Sequence, residues 1–146
     1  MDQNNALNVV EKLIETCKDG ENGYRDAAEH AKRSDLKTFF LSQSLERAKF
    51  AGELQAELPR LGEHGKKNSG SVSAAVRRAW IDTKVTVGAG DQSILESVER
   101  GEDSAKEAYE KALAGSLPNN IAEIVRRQAA SVKSAHDRMR DMRDAA

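Results

Sequence analysis

Apolar residues return along this chain at alternating intervals of three and four, a spacing that marks helices with one buried stripe. The first such stretch predicts a helix from about Asn5 to Arg33, with Val10, Ile14, Cys17, Tyr24, Ala28 and Ala31 on one face. Glu21 falls on the same stripe. The run Asp19-Gly20-Glu21-Asn22-Gly23 puts two glycines inside this helix, each costing roughly 1 kcal/mol against alanine. Because the stripe holds its phase across them, the helix reads as continuous, and the missing side chains leave room for a neighbour to come close.

Ser34 is placed to cap a second helix, with Asp35 in its first turn, and the short gap implies an antiparallel hairpin. That helix runs to about Leu61. Its stripe is Leu36, Phe40, Gln43, Arg47, Phe50, Leu54 and Leu61, with Phe39, Glu46 and Leu58 at the margins, and Pro59 and Gly62 supply the stop. Glu63–Gly70 reads as a flexible linker into a shorter helix from about Ser71 to Val87, faced by Val72, Ala75, Val76, Ala79, Trp80 and Thr83. After Gly88-Ala89-Gly90, Ser93 with Glu96 suggests a capping box, and Asp91 competes for the cap. The next long helix spans about Gln92–Ala114 on Leu95, Val98, Glu102, Ala105, Tyr109 and Ala112. Gly115-Ser116-Leu117-Pro118 turns the chain. The last helix continues to about Arg143 with Ile121, Val125, Gln128, Val132, Ala135, Met139 and Met142 inward, and Asp144–Ala146 fray.

Two of these helices share wording. Gly20–Ala31 (GENGYRDAAEHA) is echoed by Gly101–Ala112 (GEDSAKEAYEKA), and seven of the twelve positions are identical or chemically alike. Each copy brings a glutamate, Glu21 or Glu102, onto the apolar stripe near mid-helix. Arg47 and Gln128 stand at similar distances beyond the two hairpin turns, which predicts a polar layer of Glu21, Arg47, Glu102 and Gln128 at one height in the core. Buried groups of this kind need partners to offset their desolvation.

Composition narrows the class. At 146 residues the chain fits a single domain, and 32% charged against 4% aromatic residues suits long helices with wet outer faces. A formal net charge of -1 supplies no global basic field for nucleic acid. With no apolar run long enough to span a bilayer and no signal-peptide pattern at the start, a cytoplasmic protein is expected. Cys17, the sole cysteine, lies on a core stripe and is expected to be a buried thiol.

The paired hairpins, the long second connection and the mid-helix glutamates resemble the ferritin-like fold. The wording KDGENGYRDAAEHA, ERAKFAGEL, VRRAWIDTK and ERGEDSAKEAYEKAL is similar to a bacterial ferritin-like family known as domain of unknown function 2383. The resemblance covers nearly the whole chain. It implies an all-α, up-down four-helix bundle with an additional short helix in the crossover between helices two and three, and no established activity.

Ferritin-like di-iron proteins place one glutamate on each of two helices and a Glu-x-x-His on each of the other two. Glu21 and Glu102 match the single glutamates. Glu46 is followed three residues later by Lys49, and Gln128 by Ser131, so both histidines and one carboxylate are missing. The expectation is therefore an ionic layer in which Glu21 and Glu102 pair with Arg47 and bond to Gln128, with Tyr24 or Tyr109 taking part. The alternative is an iron or manganese site on Glu21, Glu46 and Glu102, serving an oxidase or an iron-handling protein.

His30, His64 and His136 lie off the polar level and are expected to face solvent. No catalytic triad, phosphate loop or Cys-x-x-Cys pair is present. The basic pairs Lys66-Lys67, Arg77-Arg78 and Arg126-Arg127, with Arg138, Arg140 and Arg143, are interleaved with acids and read as solvated surface. The combined expectation is a structural, stress-related or protein-interaction role without catalysis, and no nucleic-acid or membrane partner. An exposed bundle face offers itself for a homodimer, but no outward stripe is apolar enough to name the interface.

Overall fold

The computed structural model describes residues 3–61 and 90–145. Four long helices make up most of this: α1 (Gln3–His30), α2 (Ser34–Gln55), α3 (Asp91–Ala114) and α4 (Asn119–Ala145). A short 3-10 turn at Leu58–Leu61 follows α2. The architecture is an all-α bundle, with no strand among the described residues. The expected linker at Glu63–Gly70, with His64, and the expected helix at Ser71–Val87, with Trp80, lie outside the described residues.

Helix α1 runs unbroken through Asp19–Gly23. Helix α2 stops at Gln55, short of the expected Leu61. Pro59 explains the stop, because it offers no N–H to the ladder and its ring would collide with the carbonyl of Gln55 four residues back. The chain tightens instead into i to i−3 bonds, such as Glu57 N–H to Leu54 O at 3.0 Å, and still buries Leu61.

The helix starts also depart from expectation. Arg33, not Ser34, holds the cap position of α2 and makes no side-chain cap bond. The backbone N–H groups of Lys32 and Arg33 donate instead to the carboxylate of Asp91, at 2.7 and 3.0 Å. Asp91 therefore ties the α1–α2 corner to the first turn of α3. Gly90 holds the cap position of α3 at φ 101°, a conformation that favours glycine, and the Ser93/Glu96 capping box does not form.

Two apolar clusters fill the interior. One joins the start of α1 (Val10, Ile14), the end of α2 (Phe50, Leu54), the end of α3 (Tyr109, Ala112) and the start of α4 (Ile121, Val125). The other joins the opposite ends, through Tyr24 and Ala28, Leu36 and Phe40, Leu95 and Val98, and Met139. Helices α1 and α4 thus run one way and α2 and α3 the other. The chain leaves α2 at one end of the bundle and enters α3 at the opposite end, the direction pattern of a bundle with one long crossover.

Helix α2 differs from the others in carrying large apolar residues on its outer face as well. Leu41 and Leu45, one turn apart, are 50% and 74% exposed.

Candidate functional site

Between the two apolar clusters lies a buried ion pair. Glu102 on α3 has no solvent exposure, and its Oε2 accepts from Tyr24 O–H on α1 and from Arg47 Nη2 on α2. Arg47 is itself 1% exposed, and its guanidinium carbon lies 5.4 Å from the centroid of the Tyr24 ring. Burial alone would lower the pKa of this guanidinium. The Glu102 carboxylate outweighs that effect and holds the Arg47 pKa above its ordinary value. Tyr24 is shifted far upward, first by burial and then by the Glu102 charge, so it serves as a neutral donor.

Gly20 gives the pair its room. A Cβ placed there would sit 3.1 Å from Arg47 Nη1 and 3.4 Å from its Cγ, so the arginine lies across α1 where the glycine leaves it room. One polar atom on each partner, Arg47 Nε and Glu102 Oε1, is buried without a hydrogen-bond partner in the protein. Such an atom costs roughly 1–3 kcal/mol.

Glu21 does not join this pair, which corrects the expectation for that residue. Its side chain keeps 32% exposure and accepts from Arg25 one turn along α1, at 3.3 Å. The reason is geometric and electrostatic. The buried stripe of α1 runs through Gly20, Gly23 and Tyr24, leaving Glu21 at its edge. A second carboxylate beside one guanidinium would also be left buried and unanswered.

Gln128 is fully buried as expected, but at a different height. Glu102 stands twelve residues before Ala114, the end of α3, whereas Gln128 stands only nine beyond Asn119, the start of α4. At 1.5 Å per residue it lies about 4–5 Å nearer the turn. Its Oε1 accepts from Tyr109 O–H at 2.7 Å, and its Nε2 donates to Glu53 Oε1 at 2.9 Å and to Phe50 O at 3.3 Å. Arg127 Nη1 closes on Glu53 from the surface at 3.3 Å. Because the Tyr109 proton is given to Gln128, the Cys17 thiol is the donor in its 3.0 Å contact with Tyr109. Burial pushes Cys17 up to about 11 and pushes Tyr109 well above its ordinary value. The polar core is therefore two tiers: Tyr24, Glu102 and Arg47 in one, and Cys17, Tyr109, Gln128 and Glu53 in the other.

The metal alternative needs Glu21, Glu46 and Glu102 to converge, and they do not. Glu21 is turned to Arg25, Glu46 is half-buried on the flank of α2, and Glu102 holds a guanidinium where a metal cation would have to sit. No group of three metal-capable side chains occurs among the described residues. The donors do not fit a di-metal centre.

His30 is exposed, as expected. His136 is not: its side chain is 13% exposed, with Nε2 2.6 Å from Asp103 on α3 and Nδ1 3.2 Å from Asp137. Nearby, a polar groove of about 570 Å³ between the start of α3 and the end of α4 is lined by Gln92, Glu96, Glu99, Arg100, Asp103, Arg143 and Asp144. Arg143 bonds Glu99 across it. Arg138 lies 5.1 Å from the Phe39 ring centroid, and Arg140 faces Asp137 and Asp141.

Tyr24 and Tyr109 were legible from the sequence, since a tyrosine on a core stripe must find a partner for its hydroxyl. Cys17 and Glu53 were missed as members of the polar core. Nothing in the local sequence distinguishes Glu53 from other acids at a stripe margin.

Residues 5–115 match the family described as Domain of unknown function (DUF2383). The chain belongs to this family. The DUF2383 match takes in Cys17, Gly20, Tyr24, Arg47, Glu53, Glu102 and Tyr109, and ends before α4 with Arg127 and Gln128. Comparison with curated proteins gives no match. No described helix is long and apolar enough to cross a membrane.

Proposed function

We propose that the protein is a ferritin-like bundle of the cytoplasm without enzymatic activity, serving a structural, stress-related or protein-interaction role. In this reading a buried ionic and hydrogen-bonded core stands where related folds hold two metal ions. The observation that carries it is the Arg47 guanidinium seated on Glu102 at mid-bundle, because a fixed cation there repels divalent metal and consumes the carboxylate that would bridge it. The helix directions, with one crossover, support the ferritin-like affiliation. An interaction role has Leu41 and Leu45 on α2 to work with, either against another protein or against a second copy.

The test is elemental analysis of untagged protein purified without chelators. The expected result is far less than one iron, manganese or zinc per chain. About two per chain would overturn the reading and restore the oxidase or iron-handling alternative.

A further inference from the structure

We infer that the centre of the bundle binds one water molecule, donating to Glu102 Oε1 and accepting from the Arg47 Nε–H. Both atoms are buried, neither has a partner in the protein, and they belong to side chains already joined through Arg47 Nη2 and Glu102 Oε2. Tyr24 O–H also uses Oε2, so the donors converge on one carboxylate oxygen and leave the other free.

The chemistry of the two atoms selects the ligand. One is a donor and the other an acceptor, so the bound group must do both. The charges of Arg47 and Glu102 already balance, so the bound group must be neutral, since an added ion would be desolvated without a counter-charge. Room is limited, because the space left by Gly20 is taken by the arginine, 3.1 Å from where a Cβ would lie. Water meets all three conditions. Buried waters of this kind satisfy polar groups that the chain cannot pair for itself.

Two measurements on the 146-residue chain test this. In a high-resolution crystal structure, one peak is expected within about 2.7–3.2 Å of both atoms. If guanidinium and carboxylate instead turn side by side into two parallel bonds, with no such peak, the inference is wrong. In solution, oxygen-17 relaxation dispersion should show the contribution of one long-lived internal water lost in the double variant Arg47→Met/Glu102→Leu, compared at equal helical circular dichroism. An unchanged amplitude in a folded double variant overturns the inference. The crystallographic reading of the unmodified chain stands whether or not that variant folds.

Discussion

Glu21 and Glu102 occupy corresponding places in two helices of one bundle, each directly after a buried glycine, yet one carboxylate lies in the core and the other on the surface. The difference follows from what lies opposite. Helix α2 supplies a guanidinium long enough to cross over Gly20 and reach Glu102, whereas the position 81 residues after Arg47, the same offset that separates Gly20 from Gly101, is the neutral Gln128. One cation can answer one acid. The repeat duplicated the acids, and the partners decide which one the interior accepts.

The comparison breaks most visibly at Glu102. Glu102→Leu leaves Arg47 charged and buried, and should lower unfolding free energy by roughly 3–5 kcal/mol in denaturant titrations. The double variant Glu102→Leu/Arg47→Met should recover most of that loss. Pairing Glu21→Leu with an Arg47 substitution should recover nothing, and recovery there would return Glu21 to the ionic core.

High pH tests the second tier. Below pH 9 the Cys17 thiol is protonated in folded and unfolded chains alike. From its ordinary 9.0 to about 11 the unfolded thiol ionises while the folded one keeps its proton, so stability falls as pH rises. Each pH unit removes about 1.4 kcal/mol through this group, close to 3 kcal/mol in all, and the raised Tyr24 and Tyr109 steepen the decline. Melting temperatures of the Cys17→Ala variant should show a shallower alkaline slope than the parent.

Gly20→Ala sets helix propensity against space. Alanine gains about 1 kcal/mol in a helix interior. Its methyl group would meet Arg47 at 3.1 Å, and Arg47 cannot withdraw while Glu102 holds it. A net loss of about 1 kcal/mol is expected, turning into a gain when Arg47→Met is added. The smallest effect belongs to Glu21→Ala. Loss of an exposed pair with Arg25 should change stability by about 0.5 kcal/mol or less.

The four long helices, the continuity of α1 across its glycines and the burial of Arg47, Glu102 and Gln128 were legible in the sequence because periodicity reports which side of a helix is covered. Glu21 shows the limit of that signal: it sits at the stripe edge, where a fraction of a turn separates core from solvent. Periodicity is also silent on height, so the split into two tiers depends on where α3 ends and α4 begins. Asp91 offers a third case. As a local signal it reads as a helix cap, while its carboxylate actually serves backbone donors at the distant α1–α2 corner.

That corner contact has a consequence for how the chain tolerates change. Asp91 grips main-chain hydrogens, so the identities of residues 32 and 33 are nearly free to drift, proline alone being barred because it has no hydrogen to give. Position 91 carries the opposite burden: a lone carboxylate there latches one end of the bundle, so substitution is costly on the acid's side of the contact and cheap on the side that gives only backbone hydrogens.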